Sequence, residues 1–79
     1  MTPQTPLSLG LQDGLGYAAT HSGDRSRLGR IAGARTAADV AATVGTTFVP
    51  PDGIADTVAY WSGFAHGVGS FLLEERNQA

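Results

Sequence analysis

The sequence predicts an all-α fold of three to four helices with a long C-terminal helix. Three observations carry that expectation. Apolar residues recur at helical steps of three and four, Ser, Thr and Asp stand where helices need capping, and Gly23, Gly33 and Gly45 stand where the helical patterns end. Seventy-nine residues allow one domain, read here as residues 7–79 behind a disordered lead at 1–6 that carries Pro3 and Pro6.

The first helix begins near Leu7. Leu7, Leu11, Leu15 and Ala18 mark its apolar face, and Ser22-Gly23 stops it. Asp24 or Ser26 caps a short second helix, with Leu28 and Ile31 one turn apart and Gly33 at its end. Thr36 caps a third helix over Ala37–Val44, with Asp39 at the third position, Val40 and Val44 facing inward and Gly45 closing it. Pro50 and Pro51 hold the next stretch extended. Asp52 is the expected cap of the longest helix, roughly residues 53–76. Its seam reads Ile54, Val58, Trp61, Ala65, Val68, Leu72, with the steps of a bundle helix. Phe64 and Phe71 widen the seam, and Ala59, Gly63, Gly67 and Ser70 form a small-residue back.

One glycine pattern occurs twice. Gly10–Gly16 reads GLQDGLG and Gly63–Gly69 reads GFAHGVG, both Gly-apolar-x-x-Gly-apolar-Gly. A glycine inside a helix costs about 0.5–1 kcal/mol relative to alanine. The pattern therefore needs an offsetting contact, and close approach of a second helix backbone supplies one, as small-x-x-x-small faces do in membranes. So short a chain has little material to cover a helix on two sides. The expectation is a homodimer in which the first and last helices pack as equivalent elements. Paired templates would also make Asp13 and His66 equivalent positions.

Composition narrows the function. The net charge is −2, too weak for a mimic of a charged polymer, and no cysteine is present. Every basic residue is arginine and glycine is abundant, a usage that points to a GC-rich bacterium or its phage or mobile elements. The first ten residues lack a signal-peptide pattern and no apolar run is long enough to span a membrane, which reads as a cytoplasmic protein without a membrane partner. His21 and His66 have no metal-ligand spacing, and no nucleophile elbow or phosphate loop occurs, so no enzyme, cofactor or metal is expected.

The leading expectation is a non-enzymatic interaction or regulatory protein acting through an apolar helix surface. Trp61, Phe64, Val68 and Phe71, with Gly63 and Gly67, are the candidate contacts for a partner or a second copy, since aromatic anchors dominate interfaces; a monomer core is an equal use of the four bulky residues. The alternative is a DNA-binding regulator. Asp24–Arg35 carries Arg25, Arg27, Arg30 and Arg35 at a local net charge of +3. Thr36–Thr47 resembles the first half of a helix-turn-helix, whose second helix would start late, at Asp52. Arginines beside it are the candidate phosphate contacts.

Overall fold

A computed structural model describes residues 5–78; residues 1–4 of the lead expected at 1–6 lie outside the described residues. Four α-helices follow in order: α1 (Pro6–Thr20), α2 (Arg25–Ala32), α3 (Ala37–Val44) and α4 (Thr57–Gln78), with a 3-10 turn at Gly45–Thr47. Among the described residues there is no strand.

Local chemistry sets the boundaries. Thr5 caps α1 by accepting the Ser8 N–H, and Pro6 occupies the first turn, where its missing N–H costs nothing. The helix thus reaches into the segment read as a disordered lead. Asp24 accepts the Arg27 N–H and Thr36 accepts the Asp39 N–H, so α2 and α3 start where their caps predict. Gly45 ends α3 with φ 56°, a left-handed backbone that suits glycine. The cap of α4 differs from the expected one. Gly53 has φ 80°, which a right-handed helix cannot contain, so no helix grows from Asp52. Asp56 caps instead, its Oδ1 accepting the Ala59 N–H at 3.1 Å.

The architecture turns on α1 and α4, which run parallel. Gly10 faces Tyr60 and Phe64, Gly14 faces Phe64, Gly63 faces Leu7 and Leu11, and Gly67 faces Leu11 and Leu15. A Cβ on Gly10 would strike the Tyr60 carbonyl oxygen, and one on Gly63 would strike that of Leu7. Gly14 stands in the same way against the Phe64 carbonyl, and Gly67 against that of Leu11. Each contact has its counterpart 53 positions along the chain, so the pair has a local two-fold axis between its helices. The glycine Cα hydrogens point at these carbonyls, the geometry of weak C–H···O bonds. The repeated template is therefore a real packing device, and its partner is this chain's own first helix. In each copy only the first two glycines serve it: Gly16 meets open space, and Gly69 reaches only the Ala32 side chain.

Close packing turns both helices away from the orientation their large residues suggest. On α1 the buried residues are Gly10, Gly14, Tyr17 and Ala18, while Leu7, Leu11 and Leu15 stay 50%, 37% and 36% exposed. On α4, Tyr60, Gly63, Phe64, Gly67 and Val68 are buried, whereas Val58 of the expected seam is 64% exposed. The two-fold gives the pair two faces. One carries Asp13 and Tyr17 from α1 with Tyr60, Phe64 and Val68 from α4. The α2–α3 hairpin covers it with Leu28, Ile31, Val40 and Val44, and these apolar residues form one core. The other face carries Leu7, Leu11 and Leu15. The stretch 48–56 returns the chain to the starting end, as two parallel neighbours require, and lays Phe48 and Ile54 against the core on the way.

Candidate functional site

The aromatic cluster lies on the covered face. The Phe64 ring stands 5.3 Å from each of Tyr17, Phe48 and Trp61, and 6.3 Å from Tyr60, at tilted angles that aromatic quadrupoles favour. Phe64 and Val68 are fully buried in this chain's own core, and Gly63 and Gly67 are buried beneath α1. Of the two uses open to the bulky residues, Phe64 and Val68 serve this chain's own core, while Gly63, packed beneath α1, also borders the open side of the helix pair. The glycine face that invited a second copy is already occupied from within, and the two large side chains fill the space under the α2–α3 hairpin. Trp61 is half-buried at the edge of the aromatic cluster, and Phe71 is half-buried against the apolar core.

Two polar contacts tie that face together. The Tyr60 hydroxyl donates to Asp13 Oδ2 at 2.6 Å. The Tyr17 hydroxyl shares a 2.8 Å hydrogen bond with Thr47 Oγ1 across to the 3-10 turn. Burial, then the hydrogen bond to Asp13 and its negative charge, push the Tyr60 phenol well above its ordinary value of 10.0. The folded state thus holds a proton that the unfolded chain releases above pH 10. Its stabilising contribution is complete below that pH and is lost as pH rises further. We expect the melting temperature of the native chain to begin falling near pH 10, and Tyr60→Phe to flatten that slope in thermal melts recorded from about pH 9 to 11. An unchanged slope would show that Tyr60 ionises as freely in the fold as outside it.

Asp13 and His66, equivalent by the repeat, do not meet. The two-fold puts equivalent positions on opposite faces, so Asp13 reaches Tyr60 while His66 lines the uncovered face beside Leu7 and Leu11. His21 stacks on Tyr17 with centroids 4.2 Å apart, and its Nδ1 lies 3.0 Å from the Tyr17 carbonyl oxygen. Among the described residues no three His, Asp or Glu side chains converge as a metal site would need.

The arginines separate into two kinds. Arg25 pairs with Glu75 of α4 at 2.6 Å and Arg27 with its own cap Asp24 at 3.5 Å. Exposed pairs of this type contribute about 0–1 kcal/mol each. Arg30 and Arg35 are exposed, with no carboxylate within 4.0 Å among the described residues. After α3 the chain makes the 3-10 turn and then runs without regular structure to Thr57, so no second helix follows at helix-turn-helix spacing. The exposed residues of α3, Ala38, Asp39 and Ala42, carry no side-chain donor for a base edge or a phosphate.

The feature that sequence reasoning missed is the uncovered face. Leu7, Leu11 and Leu15 form a ridge along α1. Beside it runs a trough of about 440 Å³ lined by Thr5, Leu7, Ser8, Leu11, Gly63, His66 and Ser70. A second groove of about 540 Å³ lies on the far side of His66 and Ser70, between α4 and the α2–α3 turn, with Arg35, Thr36 and Leu73 on its wall. The signal was present in the sequence: leucines four apart on the same helix as two four-spaced glycines. The glycines set which side of α1 meets its neighbour, and the leucines, about 40° or more around the helix, are left outside.

The geometry defines an all-helical domain built on a glycine-packed parallel helix pair, with one face filled and one open. Comparison with protein-family models, curated proteins and solved structures found no match. Among the described residues, no helix is long and apolar enough to cross a membrane.

Proposed function

We propose that this chain is a small non-enzymatic interaction protein, regulatory in role, that acts through an apolar helix surface. The observation that carries the reading is the exposed ridge of Leu7, Leu11 and Leu15 beside an open trough. Aligned exposed leucines are an unfavourable use of a surface unless something covers them. The placement of the carboxylates adds support. Asp24 and Asp56 cap helices, Asp13 accepts from Tyr60 and Glu75 pairs with Arg25, so these four already have structural work.

Photocrosslinking in the native cell tests the reading. A photoreactive residue in place of Leu11 is expected to give discrete protein adducts, and the same residue at exposed Ala42 of α3 none. Equal labelling at both positions, or none at Leu11, would remove it.

The DNA-binding alternative rests on Arg30 and Arg35, the two arginines of the 24–35 cluster without an acidic partner among the described residues. Two phosphate contacts would give a slope of only about −2 in log affinity against log salt. Fluorescence anisotropy of a labelled duplex at low and moderate salt decides the matter. The interaction reading expects no binding even at low salt, and salt-sensitive binding lost in Arg30→Ala would favour the alternative.

A further inference from the structure

We infer that the occupant of the uncovered α1–α4 face is a second copy of this chain, packed across a two-fold axis with the Leu7-Leu11-Leu15 ridge of each copy in the trough of the other. The inference rests on the interaction reading above and names its partner.

Shape is the first argument. An isologous contact needs a surface complementary to itself, and a ridge lying directly beside a trough meets that need. The trough, at about 440 Å³, has room for leucine side chains and not merely for a water of about 30 Å³. Leucines spaced by four form the ridge type most often used in helix–helix packing.

Charge is the second argument. No Asp, Glu or Arg lines the trough or the ridge, and His66 is the one titratable residue there. Two identical charged faces would repel each other; these two have no formal charge to bring together apart from any on His66. A partner of opposite charge would find little to grip, whereas a second apolar face finds a match.

Area is the third. The 15 residues of α1 make a face about 22 Å long, and two helices side by side make it about 20 Å wide. Covering that face in both copies buries on the order of 900 Å² in total, the size of a weak, transient interface and not of a permanent one. The expected dimer is reversible, with dissociation in the micromolar range.

Sedimentation equilibrium on the full chain, from about 5 to 500 μM, tests the inference. The apparent mass is expected to rise from 8.1 kDa towards twice that value as concentration increases. Leu11→Glu should hold the protein at the monomer mass across the range, with the helical circular dichroism of the native chain. Leu7→Glu, at the more exposed end of the ridge, serves if the first variant folds poorly, and is expected to weaken association at least tenfold. A native chain that stays monomeric at the highest concentration overturns the inference, as does a dimer that survives both substitutions. A monomeric result leaves the interaction reading standing, because crosslinking from Leu11 to a different protein would still support that reading.

Discussion

Gly14→Ala is expected to destabilise the fold by about 2–4 kcal/mol, while Gly16→Ala, two residues away in the same helix, stabilises it by about 0.5–1 kcal/mol. The opposite signs follow from what each new methyl group meets. At Gly16 there is nothing within 4 Å, so alanine only improves helix propensity. At Gly14 the methyl would collide with the backbone of Phe64, carbonyl oxygen and Cα together. A backbone carbonyl inside a helix cannot swing aside as a side chain can. The two helices must separate instead, which loosens packing along the whole contact and exceeds the gain in propensity. For a domain of this size a loss of about 3 kcal/mol lowers the melting temperature by about 12–24 °C.

The local two-fold adds a sharper expectation. Gly63→Ala meets the Leu7 carbonyl as Gly10→Ala meets that of Tyr60, so the two should destabilise by similar amounts. Combining Gly14→Ala with Gly67→Ala should cost less than the sum of the two, because the first substitution has already moved the helices apart. Additive losses would mean that each glycine matters for a separate local reason. A neutral or stabilising Gly14→Ala would mean that α1 and α4 do not approach as closely as the repeat demands.

Much of the fold can be read in the residues, for identifiable reasons. Asp24 and Thr36 cap the helices they precede, and Gly33 and Gly45 end them, because capping depends on a few neighbouring residues alone. The paired glycine templates announce a close helix contact for the same local reason. Their partner is another matter. A parallel pair within one chain and a pair between two chains place the same demands on Gly10, Gly14, Gly63 and Gly67. The choice between them lies in the return path through residues 48–56, which no periodicity describes.

Burial is misread where two local rules conflict. Leu7, Leu11 and Leu15 satisfy the rule that apolar residues at helical spacing face the core, while Gly10 and Gly14 satisfy the rule for close approach. One helix cannot turn both sides to one neighbour. The glycine side lies against α4 and the leucines remain exposed. The same conflict on α4 leaves Val58 at the surface and brings Tyr60 into the core. The candidate site shifted for this reason. The aromatic cluster is visible in sequence as a cluster, but its depth depends on which way α4 is turned.

Phe64→Ala is expected to cost about 3–5 kcal/mol, close to the whole stability of so small a domain. Phe64 is fully buried, and its ring meets four other aromatic rings drawn from α1, α4 and the return segment. Truncation removes the one side chain that touches all of them, and the cavity cannot collapse easily because the glycine contacts fix the distance between α1 and α4. Trp61→Ala removes a larger side chain, yet should cost less, since Trp61 is only half-buried at the cluster's edge. Volume alone would predict the reverse order, so chemical denaturation of the two variants separates burial from size. The comparison also bears on function. A Phe64 that served a partner would leave the monomer's melting temperature unchanged on truncation and lose only the partner. A Phe64 in the core should lower the melting temperature by about 12 °C or more, while Leu11→Glu on the open face leaves it within a few degrees of the native value.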